Sequence, residues 1–304
     1  MLATRPRLWA LFQRPSRCIP AFHLTRSFSQ KQQEETVTLE YTKNDSESGS
    51  TKQPLLILHG LFGSKQNWRA IAKQLTRTLD RDTYCVDLRN HGDSPHKAPH
   101  TYTAMSADIV RFISDHRLQK PILIGHSMGG KVVMHTALSR PDLVSQLIVD
   151  DIAPAKLGLS HDFPSYIAKL REIERANISS QKEADRMLNE VEPDISIRQF
   201  LLTNMKKNRE QNGAYRSRIP LDMLDDSLDG VMEWDVDENC RYDGPTLFIA
   251  GMKSPHIKPE MYPSIKRYFP KYELSELDTG HWVHAEMPQE FMALVVDFVN
   301  RNST

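Results

Sequence analysis

The sequence predicts an α/β fold, with a mostly parallel central sheet and helices on both faces. Three observations carry this. Short apolar runs, each of strand length, alternate with stretches of helical spacing. The runs are continuous rather than alternating, as strands covered on both faces require. The strand pattern stops at about residue 156 and resumes after 240, so the intervening helical stretch is an insertion and not a second tandem domain.

In chain order, Thr36 to Tyr41 alternates polar and apolar residues and predicts an edge strand. Asn44 to Lys52 is a polar, Ser- and Gly-bearing turn. Leu55 to Leu58 is a buried strand, and His59 to Ser64 a loop. Trp68, Ile71, Ala72, Leu75 and Leu79 predict a helix over Asn67 to Leu79. Thr83 to Leu88 is a strand, Tyr102 to Asp115 a helix, and Pro121 to Ile124 a strand. Met128 to Ser139 is a helix and Gln146 to Asp151 a fourth buried strand. Within the insertion, Ser165 to Ala176, Lys182 to Val191 and Ile197 to Lys206 have helical spacing. Pro245 to Ala250 and Glu273 to Leu277 are the last strands, Pro259 to Tyr268 and Gln289 to Val299 the last helices.

The 304 residues carry 39 basic and 39 acidic side chains. That balance argues against broad nucleic-acid binding, which needs a basic surface. No apolar run approaches the length of a membrane-spanning helix. Three cysteines, at 18, 85 and 240, are too scattered for a disulfide framework or a zinc ribbon. The charge is unevenly spread: Arg5, Arg7, Arg14, Arg17 and Arg26 precede the first acidic residue, Glu34. An Arg-rich, Ser-bearing, acid-free N-terminus describes a mitochondrial transit peptide. The expected organisation is a transit peptide over 1–28, a core in two parts over 36–155 and 241–304, and a helical lid over 156–240, in a protein addressed to mitochondria, with the matrix as the expected compartment.

The chemistry gathers around Gly125-His126-Ser127-Met128-Gly129. This G-x-S-x-G lies directly after a predicted strand and directly before a predicted helix, the context in which the motif makes a sharp turn that lifts a serine nucleophile above the sheet edge. A serine hydroxyl needs a base, and the base an orienting acid. His281, in Thr279-Gly280-His281-Trp282 just past the last strand, is the favoured base. Gly280 suits a sharp turn there, and His284 is the competitor, otherwise a supporting or surface residue. His126 adjoins the nucleophile, and the turn points its side chain away from the attack face.

The acid is less direct. The loop after Phe248-Ile249-Ala250-Gly251 reads Met252-Lys253-Ser254 and offers no carboxylate before Glu260. The neighbouring strand ends Val149-Asp150-Asp151. Side chains alternate along a strand, so these two aspartates face opposite ways and only one can serve. Asp151 is favoured as nearer the edge, with Asp150 the alternative. Arg89 and His91, in Asp87 to Ser94, read as bracing residues.

His59-Gly60, Asp87 to Ser94, the Ser127 motif with Gly130, and Gly280-His281-Trp282 together resemble the α/β-hydrolase fold family over nearly all of the chain after residue 36. Val149-Asp150-Asp151-Ile152-Ala153-Pro154, with Ser254 at the usual acid position, is similar to a subgroup holding mitochondrial abhydrolase-domain-eleven proteins, bacterial short-chain esterases and yeast ethanol acetyltransferases. The resemblance implies that Asp151 is the acid, and that the backbone N–H groups of Leu61 and Met128 form the oxyanion hole. Asn90 departs from it, standing where many hydrolases carry Gly. The function expected is a serine hydrolase of carboxylic esters or acyl thioesters, using no metal or redox cofactor, with a small ester or acyl-CoA as substrate. The same three side chains would serve an alcohol O-acetyltransferase making ethyl acetate from acetyl-CoA and ethanol. A non-catalytic binding protein on the same fold is the third reading.

Overall fold

The computed structural model describes residues 35–49, 51–158, 162–208 and 213–303. The expected transit peptide lies outside them. Nine strands are described: β1 (Tyr41–Asn44), β2 (Leu55–Leu58), β3 (Thr83–Val86), β4 (Ile122–His126), β5 (Gln146–Asp150), β6 (Met205–Asn208), β7 (Ala214–Ser217), β8 (Thr246–Gly251) and β9 (Tyr272–Leu277). Seven form one sheet in the order β1-β3-β2-β4-β5-β8-β9. Only β1 runs antiparallel to its neighbour.

The apolar runs are continuous because the sheet has a core on each face. Leu56, Leu58, Leu123, Leu147 and Val149 point into one core, and Leu55, Ile57, Ile122, Ile124 and Ile148 into the other. Helices α1 (Arg69–Leu79), α9 (Val283–Glu286) and α10 (Pro288–Arg301) cover the second face with Ile71, Leu75, Val283, Phe291 and Val295. Helices α2 (Tyr102–Asp115), α3 (Met128–Ser139) and α8 (Tyr262–Tyr268) cover the first with Ile109, Phe112, Val132, Val133 and Ile265. Among the described residues, no helix is long and apolar enough to cross a membrane.

The expected edge strand over Thr36 to Tyr41 is displaced; the ladder begins at Tyr41 and runs into the expected turn. Val37 and Leu39 are buried, which is why the segment alternates. Its backbone is held by side chains instead: Val37 N donates to Asp108 Oδ1 (2.8 Å) and Glu40 N to Ser94 Oγ (2.9 Å). Alternation reports burial, and a strand also needs a free neighbouring edge.

Between β5 and β8 lie α4 (Asp162–Arg175), α5 (Gln181–Leu188), α6 (Ile195–Leu202), the β6–β7 hairpin and α7 (Leu221–Met232). The hairpin corrects the all-helical expectation for this stretch. Met205-Lys206-Lys207-Asn208 is mostly exposed and has no apolar alternation to give it away. Two of these helices start on side-chain caps: Ser180 accepts from Glu183 N, and Asp194 from Ser196 N and Ile197 N. This insertion shares the first face's core through Leu170, Leu188 and Leu201.

Candidate active site

Three backbones converge at Ser127. A Cβ on Gly125 would sit 2.3 Å from Gly129 O, and one on Gly129 would sit 2.5 Å from His59 O. Only glycine lets β4, α3 and the loop after β2 approach so closely. Ser127 itself has φ 52° and ψ −119°, a strained conformation for a residue with a Cβ. Its N–H donates to Asp150 O (3.0 Å), which ties the turn to β5.

The sheet edge brings His281 to Asp151 across 130 residues: Nδ1 lies 2.7 Å from Oδ2. Asp151 has φ 49° and is fully buried. Its Oδ1 accepts from Gly251 N (2.9 Å), and its Oδ2 also accepts from the Ser254 hydroxyl. Burial raises the Asp151 carboxyl above its ordinary range, and the Ser254 and Gly251 donors work against that shift. Burial lowers the His281 imidazole, so it rests neutral. Ser127 and His281 line one cleft of about 600 Å³, together with Phe163, Phe200 and Trp282. The His256 ring packs on His281, centroid to centroid 4.0 Å.

A second acid–histidine pair stands next to the first. Asp150 Oδ2 is 2.6 Å from His284 Nδ1, and His284 stacks on Trp68 at 4.1 Å. His284 is therefore buried, which overturns its reading as a surface residue. Asp150 ends β5 and Asp151 follows it at φ 49°, and the two carboxylates take different histidines. Asp150 Oδ1 has no hydrogen-bond partner among the described residues, and burial pushes the Asp150 carboxyl up to about 8. The His126 ring lies between the two pairs, and its Nε2 is 2.9 Å from His281 O. The carbonyl can only accept, so Nε2 carries the proton and donates.

Leu61 and Met128 line one small space together with Ser127. Met128 opens α3, where the helix offers its N–H no partner. The Leu61 N–H makes no hydrogen bond among the described residues. Two histidines brace the Leu61 loop. His59 Nε2 accepts from Leu88 N (3.0 Å), so its proton is on Nδ1 and is donated to Gly60 O (2.8 Å). His91 Nε2 accepts from Phe62 N (3.2 Å), and its Nδ1 donates to Arg89 O (3.1 Å). Arg89 pairs with Asp108 through Nε (2.6 Å) and Nη2 (2.8 Å), away from the serine. Both residues are thus bracing, as expected.

Sequence reasoning named Ser254, Asp150 and His284 but missed the Ser254 bond to Asp151 and the pairing of Asp150 with His284, and it missed His256 altogether. Ser254 carried a signal: it occupies the loop where a carboxylate was sought, and it supports the carboxylate reaching over from β5. Asp150 and His284 carried none, being 134 residues apart.

Among the described residues, His126, Asp150 and His284 form a set whose ligand-type atoms lie within 4.8 Å of one another. A separate cleft of about 730 Å³ runs along the other side of His281 and Trp282, and Ser127 is not on its wall.

Residues 53–288 match the alpha/beta hydrolase fold family model. An sn-1-specific diacylglycerol lipase (ABHD11) of Danio rerio is 39% identical over 86% of this chain and 83% of its own. A Saccharomyces cerevisiae protein described as a probable alcohol acetyltransferase is 39% identical over 93% of this chain and 89% of its own. A solved marine microorganism esterase superposes with a TM-score of 0.79 at 34% identity, covering 86% of this chain and all of that one. With this sheet order, this serine turn and these relatives, the chain belongs to the α/β-hydrolase fold family.

Proposed function

We propose that this protein is a serine hydrolase that cleaves carboxylic esters or acyl thioesters through an acyl-enzyme, with Ser127, His281 and Asp151 as its catalytic residues. Ser127 Oγ attacks the carbonyl carbon while His281 Nε2 takes the hydroxyl proton. Asp151 keeps Nδ1 protonated, so that Nε2 is free to act as the base, and its charge stabilises the imidazolium that follows. The N–H groups of Leu61 and Met128 hold the oxyanion, a role for which each donor contributes about 3 kcal/mol. His281 then returns the proton to the leaving group. Water, activated by the same imidazole, releases the acid.

The observation that carries this reading is the strained Ser127 turn opening into the same cleft as a histidine whose Nδ1 is held by a carboxylate with two further donors. Asp151 suits the acid role better than Asp150 because its negative charge is supported from two sides.

The acetyltransferase named among the relatives favours a second outcome of the same chemistry, in which an alcohol replaces water at the acyl-enzyme. A fluorophosphonate probe is expected to label the wild type and not Ser127→Ala, and an ester and thioester panel run with and without ethanol measures the partition. A wild type that neither labels nor turns over any ester would leave only a non-catalytic role.

A further inference from the structure

Asp150 and His284 form an acid–histidine pair that the proposed reaction does not use. His284 lines the cleft of about 730 Å³ whose wall does not include Ser127. Trp68 lines the same cleft, its ring stacked on the imidazole at 4.1 Å. Both residues are more than nine-tenths buried, Trp68 at 1% exposure and His284 at 5%. Among the described residues, neither Trp68 Nε1 nor His284 Nε2 has a hydrogen-bond partner, and neither nitrogen is fully enclosed.

The protons make both nitrogens donors. An indole N–H can only donate. Asp150 has one oxygen without a partner, and burial keeps its carboxyl protonated at neutral pH. The carboxyl therefore donates to His284 Nδ1 (2.6 Å), and the single proton of the neutral imidazole sits on Nε2. The neighbouring pair is arranged the other way: Asp151, supported by Gly251 and Ser254, accepts from His281 Nδ1 and leaves Nε2 bare. One pair makes a base, and the other makes a hydrogen-bond donor.

The rest of the cleft fits an amphipathic acid. Ile197, Phe200 and Trp282 give it an apolar wall. Asp194 and Glu286 stand at its exposed rim, where solvent screens them. Their oxygens are also occupied: Asp194 accepts from Ser196 N and Ile197 N, and Glu286 from Gly280 N and Trp282 N. Lys253 is the one lysine or arginine among the described lining residues, and it pairs with Asp278 (3.0 Å). A phosphate dianion would therefore lack a counter-charge. A monocarboxylate needs only donors for its oxygens and an apolar surface for its body.

We propose that this cleft binds a small monocarboxylic acid, its carboxylate on Trp68 Nε1 and His284 Nε2 and its apolar body against Phe200 and Trp282. The site is separate from the Ser127 cleft and does not depend on the serine-hydrolase reading.

The test is calorimetric titration of the full chain with benzoate, and with benzyl alcohol, which keeps the ring and lacks the anion. Benzoate is expected to bind saturably, and benzyl alcohol at least about tenfold more weakly. Trp68→Phe keeps a stacked ring and loses the N–H; it should weaken benzoate about tenfold, as the loss of one hydrogen bond to a charged group does. Wild type capped with a small fluorophosphonate should bind benzoate as before. If the fluorophosphonate does not label, the hydrolase reading fails, and the benzoate titrations still decide this one. Benzyl alcohol binding as tightly as benzoate to the wild type would overturn the carboxylate assignment, whether or not the variant folds. No saturable benzoate binding, binding lost on capping, or unchanged affinity in folded Trp68→Phe would overturn the site.

Discussion

At the scale of single residues, the neighbouring aspartates 150 and 151 are separated by what donates to them. Asp151 accepts from Gly251, Ser254 and His281, while Asp150 has a bare oxygen and one histidine. Donors to a carboxylate favour its charged form, and a carboxylate without them stays protonated when buried. The triad acid must hold a histidine tautomer and balance an imidazolium, which needs the charge. Asp151→Asn is expected to lower kcat by about 10³-fold or more, because the amide presents the wrong partner to Nδ1. Asp150→Asn should cost far less activity. The pair is compared by steady-state kinetics on one ester, with folding checked by thermal melts; the reverse ranking would reassign the acid. The same contrast gives Ser254 its part: its hydroxyl donates to Asp151 Oδ2 and favours the charged carboxylate.

At the scale of elements, the inserted helices are joined to the core by buried polar pins as well as apolar contacts. Lys131, on α3 one turn after Ser127, is almost fully buried and reaches the carbonyls at the C-terminal end of α7. Those carbonyls are the ones a helix leaves unpaired, and the helix dipole favours a cation there. Burial lowers the ammonium to about 8, so it remains charged at neutral pH. A second, more exposed tie joins the hairpin to the core: Asp93, in the Asp87 loop, accepts from Arg218 Nη2 (2.5 Å) just past β7 and from Lys65 Nζ (2.8 Å). Lys131→Met keeps the stem and removes the charged donor: Val231 O and Met232 O keep Tyr102 Oη and Leu157 N, while Glu233 O loses its charge-assisted bond. The expected destabilisation is about 1–3 kcal/mol, read as a lower urea midpoint at unchanged m-value. An unchanged midpoint would mean that apolar packing and the neutral hydrogen bonds hold α7 without the ammonium.

At the scale of the whole molecule, the interior is unusually rich in neutral imidazoles. His59, His91, His100, His126, His135, His256, His281 and His284 are all held below the ordinary histidine range, chiefly by burial. Two of them, His59 and His91, accept backbone N–H bonds that a protonated ring would lose. The unfolded chain binds protons at these rings as pH falls below about 6.5, and the folded chain does not. Stability is therefore full above that pH and is lost as pH falls toward the depressed folded values, at about 1.4 kcal/mol per pH unit for each net proton. Asp150 and Asp151 oppose this, since their raised carboxyls take protons in the folded state first. The histidines outnumber them, so the net sign is acid destabilisation. The urea midpoint is expected to drop markedly between pH 7 and pH 5, and a flat profile across that interval would contradict it.

The chain's own sequence determined the alternation of strands and helices, the elbow at Ser127 and the identity of a histidine past the last strand. These follow from short-range causes: side-chain periodicity over a few residues, and the steric demand for glycine at a tight turn. Even the two-sided burial of β2, β4 and β5 is written in their unbroken apolar runs. Tertiary structure alone decided which carboxylate meets which histidine, where the β6–β7 hairpin sits, and how small the space beside the serine is. Each of these depends on groups more than 100 residues apart, or on a mostly exposed hairpin whose local pattern is mute. Local spacing says which way a side chain points from its own backbone, and only the packed sheet says what it then meets.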